Sequence, residues 1–137
     1  MMYFFDTNIC IYYLKGIFPV LRKRVLETQP DKIRIPAMVA AELIYGAQKS
    51  RKAAETMEKV KRFLKPLQII PFNEEAAFFY GETRASLEKA GKTIGFNDII
   101  IAATVLAHNG TLVTNNSGEF SRIKGLNLEN WTKTSKN

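Results

Sequence analysis

The chain has 137 residues, 46% of them hydrophobic, which fits one domain with a core of its own and excludes a disordered chain. Twenty Lys and Arg against thirteen Asp and Glu give a net charge of +7, an excess that favours a polyanionic partner, nucleic acid first. The lone Cys10 excludes an internal disulfide, and the longest apolar run, residues 99–107, falls short of the roughly 20 residues of a membrane span. The first six residues carry no basic region and do not read as a signal peptide.

In chain order, Tyr3-Phe4-Phe5 predicts a short buried strand that stops at Asp6. A helix over 7–14 follows, with Asp6 or Thr7 to cap it and Gly16 to close it. Residues 19–28 predict a second helix, 33–35 a strand, and 37–49 a helix entered through Pro36. A charged helix over 51–63 precedes a strand over 67–70 that Pro71 ends. Asn73 caps a long helix to Ala90, with Gly91 as its stop. Asp98 opens an apolar helix reaching His108, which Asn109-Gly110 terminates. Residues 111–113 predict a strand, 115–123 a loop with at most one turn, and 126–128 a last strand. From Thr132 to Asn137 the chain is a polar, loose tail, leaving 1–131 as the folded domain. Short apolar strands alternating with helices argue for an α/β fold with a mostly parallel sheet. In such folds ligands gather at the carboxyl ends of strands, which singles out Asp6 and the Thr114-Asn115-Asn116 stretch.

Only three aspartates occur, and Asp31 sits in a solvated turn beside Pro30 and Lys32. Asp6 follows Phe4-Phe5, Asp98 precedes Ile99-Ile100-Ile101, and Glu42 stands inside Val39-Ala40-Ala41-Glu42-Leu43-Ile44. An unpaired buried carboxylate costs several kcal/mol, so acids set against core segments call for a partner. A divalent cation is one such partner, and oxygen ligands alone suit Mg²⁺ or Mn²⁺ and not zinc. Each acid also has a plainer reading: Asp6 and Asp98 as helix caps, Glu42 as a surface charge on a half-exposed helix. The cap explanation does not account for Glu42. A single histidine, His108, excludes a two-histidine ribonuclease, and no glycine-rich phosphate loop is present.

Phe5-Asp6-Thr7-Asn8, Ala41-Glu42-Leu43-Ile44-Tyr45-Gly46, Gly95-Phe96-Asn97-Asp98, Leu112-Val113-Thr114-Asn115-Asn116 and Leu128-Glu129-Asn130-Trp131 occur in that order. Together they resemble the VapC toxins of the PIN-domain family over nearly the whole chain. The resemblance implies a PIN-like three-layer sandwich, a central parallel sheet between helices with acids at its carboxyl edge. It implies Asp6, Glu42 and Asp98 as metal-site acids, with Thr7 and Asn8 supporting Asp6 and Thr114 bonding a neighbouring acid or water. Where the family often has a fourth aspartate this chain has Asn116, and Glu119, the only carboxylate between Thr111 and Leu128, is the candidate for the missing charge. The implied activity is a Mg²⁺-dependent endoribonuclease, Mn²⁺ substituting, that cuts transfer RNA or another structured RNA. The implied partners are a small antitoxin protein, a second copy of the chain, and operator DNA reached only through the antitoxin, in the cytoplasm. Two other readings stay open: a PIN-type nuclease for structured DNA or RNA maturation, and a non-catalytic nucleic-acid-binding module whose acids are structural. Lys15, Arg22, Lys23, Arg24, Lys49, Arg51, Lys52 and Arg84 are the candidate phosphate contacts.

Overall fold

The computed structural model describes residues 1–134. Five short strands form one sheet: β1 (Tyr3–Phe5), β2 (Ile33–Pro36), β3 (Gln68–Ile70), β4 (Thr111–Val113) and β5 (Asn127–Glu129). Their order is β3-β2-β1-β4-β5, and every adjacent pair is parallel. Parallel neighbours demand crossover connections, and the helices supply them: α1 (Thr7–Lys15), α2 (Pro19–Glu27), α3 (Ala37–Gln48), α4 (Ala53–Leu64), α5 (Glu74–Lys89), α6 (Phe96–Ala107) and the single turn α7 (Ser117–Phe120). The α/β sandwich read from the sequence is the fold found. Among the described residues no helix is long and apolar enough to cross a membrane.

The central strand β1 is buried on both faces, as its run of aromatics requires. Phe4, Phe5, Ile35, Leu112 and Val113 join Ile99, Ile101 and Val105 of α6 in the core. Trp131 closes one end, edge-on to Tyr3 and Phe5. Cys10 is buried there too, its thiol pushed well up by burial and by the nearby Asp6 charge, so it is packing material.

Several boundaries differ from expectation for local reasons. Pro36 ends β2 and precedes α3, since its fixed φ suits both the strand end and a helix entry. Helix α6 starts at Phe96, with Gly95 at the N-cap, so Asp98 sits inside the first turn and does not open the helix. The last strand is shifted by one residue, to Asn127–Glu129, in register with β4. Thr132, where the polar tail was expected to begin, is buried, and its hydroxyl bonds Asn130 and Asn115. Residues 135–137 of that tail lie outside the described residues.

Candidate active site

The order of the strands decides where a site can form. The chain leaves β1 for β2 on one side, and β4 pairs with β1 on the other, so the sheet's direction of growth reverses between β1 and β4. At that reversal loops diverge beyond the carboxyl ends of the strands and leave a crevice. Asp6 follows β1 directly; its amide donates to Val113 O at 3.2 Å, extending the ladder by one step. The Thr114 amide does the same from β4, donating to Glu129 O at 2.9 Å.

Asp6 is 5% exposed. Its Oδ1 accepts from the Ile9 amide at 2.9 Å, so it is the N-cap of α1 as well as the first acid of the crevice. Burial pushes its carboxyl up to about 6; hydrogen bonds from Thr114 and the Ile9 amide pull it down, and the charges of Asp98 and Glu42 push it up. Asp98 is half-buried and its carboxyl is also raised, by burial first, then by Glu119, then by Glu42. Like charge thus reaches Asp6 from Asp98 and Glu42, and Asp98 from Glu119 and Glu42. Among the described residues none of the four is in an ion pair with Lys, Arg or His.

Neutral donors hold these acids. Thr7 donates its hydroxyl to Glu42 Oε1. Asn97 Nδ2 donates to Glu42 Oε2 at 3.1 Å. Asn116 Nδ2 donates to Glu119 Oε1 at 2.9 Å, and the Asn116 amide donates to Thr114 Oγ1 at 2.8 Å. The expected support of Asp6 by Thr7 and Asn8 is not what the structure has: the Thr7 hydroxyl serves Glu42, and Asn8 is exposed and bonds neither acid among the described residues. Asn97 stood in the sequence reading within the Gly95-Phe96-Asn97-Asp98 motif, with no site role of its own. Its usable signal was an Asn-Asp pair at a helix start of which only one could cap. Glu119 does not pair with Arg122, whose guanidinium donates to Thr93 O at 3.1 Å instead.

The donor set fits a hard divalent cation. It consists of carboxylate oxygens in a half-buried crevice: Asp98 and Glu42 raise the cost of ionising Asp6, Glu119 and Glu42 that of ionising Asp98, and a bound cation offsets that repulsion. Among the described residues no three His, Cys, Asp or Glu side chains stand at the spacing of a finished metal cage, and Glu42 and Glu119 are bonded to Thr and Asn donors. The basic candidates divide. Arg24 is spent on Glu129 at 3.1 Å and on the Trp131 ring, and Arg84 on Glu88 at 3.1 Å. Lys23 reaches Glu27 at 4.0 Å, and Lys49 lies over the Tyr45 ring. Lys15 is exposed and lines the same cleft as Glu42.

A parallel sheet with acids at its switch point is a frame that can hold a divalent cation. The PIN-domain profile matches residues 3–126. Ribonuclease VapC2 of Rickettsia felis is 45% identical over 134 residues, covering 97% of this chain and 100% of the relative. The tRNA(fMet)-specific endonuclease VapC of Shigella flexneri is 33% identical, covering 96% and 99%. The crystal structure of VapBC2 from Rickettsia felis bound to a DNA fragment from their promoter superposes with a TM-score of 0.89, at 43% identity, covering 96% of this chain and 99% of that one. The chain belongs to the PIN-domain family, in its VapC branch. It is accordingly a nuclease of the divalent-metal-dependent kind.

Proposed function

We propose that the protein is a Mg²⁺-dependent endoribonuclease, with Mn²⁺ able to substitute, that acts as the toxin of a toxin–antitoxin pair in the cytoplasm. The observation that carries the proposal is that Asp6, Glu42, Asp98 and Glu119 meet as like charges at the switch point with no ion-paired basic partner among the described residues. Asp6, Glu42 and Asp98 are the metal-holding acids, and Glu119 replaces the charge that Asn116 lacks. A divalent cation bound there supplies an acidified water and neutralises charge on the phosphate. Thr7 and Asn97 fix the rotation of Glu42, and Asn116 holds Glu119 facing Asp98. Thr114 links the two halves, bonding Asp6 with its hydroxyl and the Asn116 amide with its oxygen. Such neutral donors orient the acids without cancelling the charge that a cation needs.

The Shigella relative's name makes transfer RNA the first substrate to try, and the Rickettsia complex makes a VapB-like antitoxin the first partner. An apolar groove of about 420 Å³ between α1, α2 and α4, lined by Tyr13, Leu14, Val25, Leu26 and Phe63, suits an apolar antitoxin segment. Ile44 and Tyr45 of α3 and Phe78 of α5 are exposed, which supports a homodimer. Operator DNA is then met only through the antitoxin. The test is cleavage of transfer RNA by the purified chain with Mg²⁺ and with chelator. Asp6→Ala and Asp98→Ala should abolish cleavage with the fold intact, and Glu119→Gln should shift the Mg²⁺ midpoint upward with a smaller loss. Full activity of Asp6→Ala at saturating Mg²⁺ overturns the site; binding without cleavage in the parent chain overturns the enzyme.

A further inference from the structure

Glu42 has a second neighbourhood. Between α1, α3 and α4 lies a cleft of about 560 Å³ that opens beside this acid, within the size range of sites for small ligands. Ile11, Leu14, Leu43 and Val60 form its apolar walls. Two hydroxyls sit among them, Ser50 Oγ and Thr56 Oγ1, 3.2 Å apart and free to exchange the donor role. Lys15 and Lys59 stand on the rim, both exposed and neither in an ion pair among the described residues. One turn beyond Glu42, Gly46 leaves the cleft open: a Cβ built there meets nothing within 4 Å.

We propose that this cleft is a nucleotide subsite that takes the base of a residue next to the cut phosphate of single-stranded RNA. The proposal rests on the ribonuclease reading above. Apolar walls cover the faces of a base, and a hydroxyl pair that can donate or accept reads its edge. Two unpaired ammonium groups at the rim meet the flanking phosphates. Glu42 belongs to both sites, so a base seated in the cleft lies one or two nucleotides from the bond under attack. A peptide of apolar character would use the walls but leave the rim charges and the hydroxyls unanswered, which favours the polyanion. The plainer role of the hydroxyls is local, since Ser50 Oγ accepts from the Lys52 amide at 3.2 Å at the start of α4.

Two substitutions separate these roles. Gly46→Leu fills the cleft from a position with room for a side chain, and Thr56→Val removes one hydroxyl while keeping the shape. Each is compared with the parent chain on a randomised RNA pool with Mg²⁺, and for binding of a short single-stranded oligoribonucleotide in chelator. Gly46→Leu is expected to keep its circular dichroism and Mn²⁺ affinity, to raise KM on the order of tenfold, as losing one seated base does, and to weaken oligonucleotide binding alike. Thr56→Val is expected to keep its Tm and to change the base preferred at one position beside the cut. Unchanged KM, binding and base preference in both variants overturn the proposal. So does a Gly46→Leu chain that cleaves normally but escapes antitoxin inhibition, since a protein segment is then the occupant. If the parent chain cuts no RNA the ribonuclease reading falls, and the binding arm in chelator still decides the cleft.

Discussion

Asp6 combines two demands that pull in opposite directions. As N-cap it must stay close to the Ile9 amide, and as the first site acid it must lie against Asp98 and Glu42 in a place water hardly reaches. A carboxyl raised from its ordinary 3.8 to about 6 binds its proton more tightly in the folded chain than in the unfolded one. Below about pH 4 both states hold the proton and the fold bears no cost. Between about 4 and 6 the unfolded chain ionises first, and above 6 the difference reaches its full size, about 3 kcal/mol against the fold. Metal-free protein should therefore lose stability as pH rises through this window. Asp6→Asn keeps an oxygen for the Ile9 amide and removes the charge, so at pH 7 in chelator it should be more stable than the parent chain and much flatter with pH. Any remaining slope in the same direction belongs to Asp98. Divalent cation should then raise the Tm of the parent chain more than that of Asp6→Asn, because binding to the folded state adds stability only where the site is whole. Denaturant melts at pH 4, 5, 6 and 7 check this, and parallel curves for the two proteins would refute it.

At the scale of elements, the sheet depends on a contact that only glycine permits. Gly110 ends the turn into β4, and a Cβ there would lie 2.4 and 2.7 Å from ring atoms of Phe4. Phe4 is 1% exposed in the core, so its ring has little room to withdraw. Gly110→Ala should push β4 from β1 and lower stability by about 1–3 kcal/mol, the usual cost of overpacking. A Tm equal to that of the parent chain would show that the ring moves freely. The strands and the helices α1, α3 and α5 were readable because caps and stops agree with the apolar pattern: Asp6 and Gly16 around α1, Asn73 before α5. The start of α6 was not. Asn97 and Asp98 are both cap-type residues, and what withdraws them from capping is distant in sequence: Glu42 for Asn97, and the acid cluster for Asp98. The same limit applies to Thr7, whose neighbour in the chain is Asp6 but whose partner in space is Glu42. Asp6, Glu42 and Asp98 stood out as acids in apolar surroundings. Their supporting donors lie 35 and 55 positions from Glu42 in sequence, and only the fold brings them to it.

Across the whole molecule the question is how much of the net charge of +7 faces RNA. Arg24 ties α2 to β5 through Glu129 and stacks on Trp131, and Arg84 is paired along α5, so neither is free to neutralise phosphate without breaking a contact within the fold. Lys15 and Lys59 have no such commitment among the described residues, and they flank the cleft beside Glu42. Arg51 and Lys52 are exposed at the approach to α4, on the same side of the sequence as Ser50. Each phosphate neutralised on a single strand releases condensed counterions and contributes about −0.7 to the slope of log K against log salt. Four such contacts predict a slope of about −3, measured with an uncleaved oligoribonucleotide in chelator. Lys15→Gln and Lys59→Gln should each make the slope shallower by about 0.7, while Arg24→Gln should leave the slope in place and lower the Tm instead. A flat response in the parent chain would mean that the basic side chains are solvated and touch no phosphate. A slope that falls with Arg24→Gln but not with Lys59→Gln would move the RNA path away from the α1–α4 cleft and onto the face that carries α2 and β5.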